Sequence, residues 1–167
     1  MYVKMEDEQD NQTHTSPFEA IRQVNDQDQE VESQAGVITS KDFAIFQDHG
    51  YKGLYGGLGA RDIHARKGLK KSQKILDYMG GTELAANLFH ITQTDESIKR
   101  KGIKEKQQAN DEHHRMGHQV REFMIQESGA VPEDLPTPNK SIQQLQREEQ
   151  KRLENGKRPS LFDGIES

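Results

Sequence analysis

The 167-residue chain contains neither cysteine nor tryptophan. The first absence excludes disulfide frameworks, thiolate zinc centres, iron–sulfur clusters and cysteine nucleophiles. Aromatic residues make up 6% of the chain and the hydrophobic class only 31%. Leu, Ile, Val and Phe together number 33, about a fifth of the chain, at the edge of disordered composition. Such a chain can build one modest core, so part of its length lies outside that core. No apolar run approaches the roughly 18–20 residues that cross a bilayer. The acidic start, with Glu6, Asp7, Glu8 and Asp10, is the reverse of a secretory leader. The expectation is a cytoplasmic protein with no membrane partner. Period-two strand patterns and internal repeats are missing as well, so the fold class expected is all-α.

What the chain has in quantity is charge, unevenly placed. Residues 1–40 carry nine acids and two bases, residues 41–110 eight acids and thirteen bases, and residues 111–167 eleven acids and eight bases. The basic middle holds two groups. Arg61, Arg66, Lys67, Lys70, Lys71 and Lys74 form one; Lys99, Arg100, Lys101, Lys104 and Lys106 form the other. These are read either as solvated helix faces or as an anion-binding surface for nucleic acid or an acidic protein. The acidic net charge of −5 argues against tight autonomous DNA binding, which usually needs a basic domain.

Along the chain, residues 1–15 lack any apolar period and read as a disordered acidic N-terminus. A peripheral helix is expected over 16–34, opened by Ser16-Pro17-Phe18-Glu19. Its stripe of Phe18, Ile21, Val24 and Val31 is thin. A helical core follows over 35–129. In it Thr39 or Ser40 caps a helix that Gly50 stops, and a glycine-dense connection follows over 51–59, so that Gly50, Gly53, Gly56 and Gly57 form a candidate glycine loop. Short helices are expected over 60–67 and around Leu69–Met79. A well-formed amphipathic helix carries Leu84, Leu88, Ile91 and Ile98, and a long one runs over 104–127. Phe43, Phe46, Leu84, Leu88, Ile91, Val120 and Phe123 are the expected core. A Pro-rich linker occupies 130–140, a last helix 141–155 and a tail 156–167. The thin stripes at Phe18–Val31 and Ile142–Leu153 cannot both bury on so small a core, which predicts a homodimer with exchanged terminal helices.

Candidate chemistry is sparse. The glycine loop leads into a basic helix but has no Gly-Lys-Ser/Thr and no preceding strand, so it is read as permitting tight turns and close helix packing. His114 and His118 stand one helical turn apart, a weak metal candidate without a full ligand set. His49, His64 and His90 are expected to pack. Residues 82–100 resemble a helix-turn-helix without its turn glycine. Leu161 and Phe162 form a small apolar pair in the tail. It is similar to peptides that dock on the bacterial sliding clamp, although Lys157, Arg158 and Pro159 stand where such peptides carry a glutamine. No Ser–His–Asp or paired-carboxylate arrangement appears, so neither an enzyme nor a cofactor is expected.

The stretches Asp42–Gln47 and His49–Leu58, Ile63-His64, Arg66–Lys71, Lys74–Asp77, Thr82–Phe89, Thr92-Gln93-Thr94, Lys106–Asn110 and Leu135–Pro138 are dense with likeness to one family. Over about residues 35–146 the chain resembles the C-terminal region of the bacterial DNA-damage-inducible protein D (DinD) family. Ser16–Asn25 resembles that family's opening residues. Members usually carry a BRO-type domain between these two regions. Here Asn25 runs into Gln34-Ala35-Gly36-Val37 almost at once, and the expectation is that this domain is missing. The resemblance implies a helical interaction module of the DNA-damage (SOS) response that modulates recombination through RecA or the RecA–DNA filament. Single-stranded DNA is a further candidate partner for the basic surface. The alternatives the resemblance leaves are a DNA-binding or antirepressor-like transcriptional regulator, and an antagonist of full-length relatives.

Overall fold

The computed structural model describes Gln23 and residues 29–166, with side chains over 29–156. All regular structure among the described residues is helical. The order is a helical stretch over 29–34, then α1 (Ser40–Leu54), α2 (Ala60–Arg66), a 3₁₀ turn at Ile75–Tyr78, α3 (Gly81–Lys101), α4 (Lys106–Glu127), a 3₁₀ turn at Pro132–Asp134, and α5 (Ile142–Glu166). The first residues expected as a disordered N-terminus, and the opening of the peripheral helix, lie outside the described residues.

Local chemistry sets most of these limits. Thr39 caps α1: its hydroxyl accepts from the Asp42 N–H at 3.0 Å, and the Asp42 carboxylate accepts from the Thr39 N–H at 3.2 Å. That is a reciprocal capping box, worth about 1 kcal/mol. Gly102 ends α3 in the left-handed conformation, φ 63°, which only glycine adopts without strain. Pro132 opens the second 3₁₀ turn.

Helix α1 runs parallel to α4, and α3 runs antiparallel to both. Two apolar cores result, one at each end of this three-helix unit. The first gathers Leu54, Tyr55, Ile63, Met79, Leu84, Val120, Met124 and Ile142. The second gathers Val31, Ala35, Val37, Phe46, Ile98 and Ala109. Burying each large apolar side chain supplies roughly 1.5–3 kcal/mol before ordering costs. Val31 is buried within its own chain, so the end of the peripheral helix is part of the core.

Several boundaries and burial expectations are corrected. Helix α1 does not stop at Gly50 but continues through Gly53 to Leu54, because those glycines face α4 rather than solvent. Gly56 and Gly57 do form the turn, at φ 64° and 99°. The stretch around Leu69–Met79 forms a single 3₁₀ turn rather than a helix. Residues 82–100 lie in one uninterrupted helix, so the helix-turn-helix reading fails. Helix α5 passes through Asn155-Gly156 to Glu166 where a tail was expected. A glycine costs a helix interior only about 1 kcal/mol, which does not compel an end. Phe46, Leu84 and Val120 are buried, and Phe43, Leu88 and Ile91 half-buried. Phe123 is 66% exposed, because its neighbour Met124 takes the inward position on α4.

Candidate interaction cleft

The middle of the bundle, between the two cores, is polar and close-packed. His113 on α4 stacks on Phe46 of α1 and on His90 of α3, with ring centroids 4.3 Å apart in both pairs. The His90 Nε2–H donates to the His113 carbonyl at 2.8 Å. The Thr94 hydroxyl donates to the His90 carbonyl at 2.9 Å, which leaves its oxygen to accept from the His113 Nδ1–H at 2.8 Å. Burial holds His90 down to about 4 and pushes His113 well below the usual imidazole range. Both rings are therefore neutral near pH 7. Helices meet here backbone to backbone. A methyl group on Gly53 would overlap the His114 carbonyl, and one on Gly117 would lie 2.8 Å from the Leu54 nitrogen.

A second buried polar set lies in the first core. Lys67 Nζ donates to Glu83 Oε1 at 2.7 Å, the Tyr78 carbonyl at 3.1 Å and Thr137 Oγ1 at 3.4 Å. The Tyr55 hydroxyl donates to Glu83 Oε2 at 2.5 Å, and Asn87 Nδ2 donates to the Tyr55 oxygen at 3.0 Å. Burial, and then the Glu83 charge, push the Tyr55 hydroxyl far up, so it remains a donor. The Lys67 side chain is 6% exposed and that of Glu83 1%. Lys67 was expected on a basic surface. It is instead a core cation, neutralised by a residue sixteen positions away.

The other sequence candidates are dispersed. In the first basic group Arg66 is tied to the Glu133 carbonyl and the Asp134 carboxylate, both at 2.9 Å. Arg61, Lys70, Lys71 and Lys74 are exposed and make no ion pair with any described residue. In the second group Lys99 lies 3.8 Å from Glu96, and Lys101 is 3.0 Å from Glu112. Arg115 also pairs with Glu112, and these partners hold that carboxyl at about 2. Arg100 and Lys104 are exposed. The first group flanks the core containing Ile63 and the second the core containing Ile98. The bundle therefore holds the two groups apart by about the length of α1, roughly 20 Å. His114 and His118 are exposed on α4, His118 lying 3.9 Å from Glu122. No group of three or more metal-ligating side chains gathers among the described residues. Leu161 and Phe162 lie within α5, with side chains outside the described set.

One feature brings apolar surface and free cations together. An open cleft of about 960 Å³ runs beside α1, between it and the segment over 60–77. Phe43, Ala44 and Tyr51 from α1 and Ile75 and Leu76 from the 3₁₀ turn give it an apolar floor. Arg61 and Lys74 stand in its wall, with Lys70 and Lys71 on the same connection as Lys74. Gln29 and Glu32 close the end where the described chain begins. Sequence spacing did not foresee this cleft, because its floor joins residues that meet only in space, such as Phe43 on α1 and Ile75 on the 3₁₀ turn.

Residues 8–145 match the family model of the DinD C-terminal domain. The chain belongs to that family. Over 126 residues it is 58% identical to DNA damage-inducible protein D of Escherichia coli (strain K12), an overlap covering 75% of this chain and 46% of that protein. The chain thus spans about half the length of that relative. No solved structure matches it. The DinD family match includes α1–α4, the cleft and both buried polar sets. No helix among the described residues is long and apolar enough to cross a membrane.

Proposed function

We propose that this chain is a non-enzymatic interaction module of the DNA-damage response. Its partner is RecA or the RecA–DNA filament, met at the α1–α2 cleft. A relative named for induction by DNA damage supports the setting. The observation that carries the mode of action is the cleft itself, an apolar floor with Arg61 and Lys74 in its wall, neither paired with a described carboxylate, beside Asp77 and Glu32. Apolar contact anchors a partner, while unscreened charge steers an acidic surface toward it and fixes its orientation. The module acts in the cytoplasm and as a homodimer, with the outward side chains of Phe123, Leu145 and Leu153 available for self-association.

A direct DNA contact is the second reading, favoured by Arg100 and Lys104 at the far end of the bundle, which remain exposed. One experiment separates the two. Binding to single-stranded DNA, duplex DNA, RecA and RecA–DNA filaments is measured side by side for the native chain and for Arg61→Glu/Lys74→Glu. Binding to filaments, weakened at least tenfold by the double reversal, supports the cleft. Equal binding to naked DNA, with a log–log salt slope near −0.9 per phosphate contacted, replaces it with the DNA reading.

A further inference from the structure

We propose that α5 is the surface on which a second copy of this chain docks, the two α5 helices pairing antiparallel about a two-fold axis at Glu149. This rests on the homodimer proposed above and gives that dimer an interface. Its test does not depend on RecA.

Helix α5 grows out of the body that anchors it. Its first residue, Ile142, is buried in the first core, and its main packing is against the 3₁₀ turn at Ile75–Tyr78. Every side chain from 147 to 156 is exposed. At 3.6 residues per turn, Ile142, Leu145, Glu149, Leu153 and Gly156 fall within about 80° of the helix surface. The stripe that starts in the core at Ile142 therefore continues outward uncovered, with Leu145 45% and Leu153 53% exposed. A helix in water is marginal by itself and is ordinarily held by the packing of such a face.

The spacing of the stripe selects its occupant. Leu145 and Leu153 lie four residues either side of Glu149, and Ile142 and Gly156 lie seven residues either side. A two-fold contact needs a patch that is its own complement. Crossing antiparallel at Glu149 meets that need. Leu145 of each copy comes opposite Leu153 of the other, and Gly156 of each reaches the level of Ile142, where the other body begins. A methyl group on Gly156 would touch nothing outside its own helix among the described residues, so packing within one chain gives no reason for a glycine there. Close approach of a second body does. Charge agrees with this arrangement. Glu149 accepts from the Arg152 Nε–H at 3.0 Å, and Arg152 borders the same stripe. The crossing thus gathers two carboxylates and two guanidiniums, so that each acid has a base on both helices. An apolar groove on a foreign protein would instead desolvate a single ion pair with nothing further to hold it.

The chain has no cysteine, so Gln143→Cys and Gln150→Cys, made separately in the full chain, each carry one nitroxide per copy. Both positions are exposed and share one side of the helix to within about 20°. Double electron–electron resonance then reads the distance between copies. Antiparallel pairing about Glu149 offsets the two labels along the helix axis by about 18 Å at position 143 and about 3 Å at position 150, so the Gln143 pair should be clearly the longer. In sedimentation velocity the dissociation constant of the dimer should rise at least tenfold in Leu145→Glu/Leu153→Glu and at least threefold in Gly156→Leu, with the circular-dichroism spectrum still helical. Equal distances at the two positions mean parallel pairing or another interface and overturn the proposal. So does a dimer that these substitutions leave unchanged; in either case the homodimer stands and a different face carries it. A chain that stays monomeric at about 200 μM overturns the homodimer and this interface together.

Discussion

Replacing Gly53 by alanine tests whether the bundle is held by backbone proximity. Two effects oppose each other. Alanine in place of glycine within a helix gains about 0.5–1 kcal/mol through the unfolded chain and helix propensity. Against this, the new methyl would overlap the His114 carbonyl, with the carbonyl carbon at 2.9 Å and the α-carbon at 3.1 Å. The obstacle is main chain in the middle of α4 and cannot swing aside as a side-chain tip can. Overpacking typically costs 1–3 kcal/mol, and this geometry belongs at the upper end, about 3 kcal/mol. The net loss is then about 2 kcal/mol. For a domain of this size that lowers the thermal midpoint by about 4–8 °C. Thermal denaturation followed by far-ultraviolet circular dichroism reads the shift directly. Gly81→Ala is the control: it opens α3, has nothing within 4 Å and needs no special φ, so its midpoint should hold or rise. A Gly53→Ala midpoint equal to or above that of the native chain would refute the account, because the propensity term would then have met no steric opposition.

Lys67→Met should cost roughly 3–5 kcal/mol, since it leaves the Glu83 carboxylate buried without its cation; urea titration of Lys67→Met, Glu83→Gln and the double variant should show losses well short of additive. Acid should destabilise the fold before its carboxylates titrate. His90 is held at about 4 against an unfolded value near 6.5, so the unfolded chain binds the extra proton in this window and stability falls as pH drops through it, by about 3 kcal/mol in all. Urea midpoints at several pH values for His90→Gln should show a shallower decline between pH 6.5 and 4, and an unchanged slope counts against the assignment. Phe89→Ser should change stability by no more than about 0.5 kcal/mol, as befits a side chain 56% exposed and outside the proposed self-association surface, and a loss above 2 kcal/mol in guanidinium titration would show that this ring is covered.

The helices were legible where local chemistry decides them. Thr39 or Ser40 announced the start of α1, because a cap depends on residues within one helical turn. The long helix holding Val120 was legible from its period. The residues that join one helix to another were not. Lys67 reads as surface in any window, since the Glu83 that neutralises it lies on another helix. His90 and His113 sit among polar neighbours, and their burial follows from Phe46 and Thr94, which only the tertiary fold supplies. Gly50, Gly53 and Gly117 did carry a signal: small residues three apart on one helix and a single small residue on another are what close helix approach requires. A glycine-dense stretch reads first as a loop, and here half of it is helix. The cleft escaped notice for the same reason as the Lys67 pair, since Phe43 and Ile75 are neighbours only in space.

The polar waist between the two cores fixes the register of the bundle. Apolar contacts alone would tolerate a helix sliding by one turn, about 5.4 Å, because one aliphatic side chain substitutes readily for another. At the waist no such slide is open. Gly53 fits only against the His114 backbone, Gly117 only against the turn between Gly50 and Leu54, and the His113 ring only between Phe46 and His90. Shifting α1 along α4 would bring a side chain to the place of each glycine and leave a buried imidazole without its bonding partner. The centre of the molecule therefore behaves as a keyed joint with a single setting. Any signal that crosses it must arise at the ends, where the 29–34 stretch meets the cleft and where α5 lies against the first core.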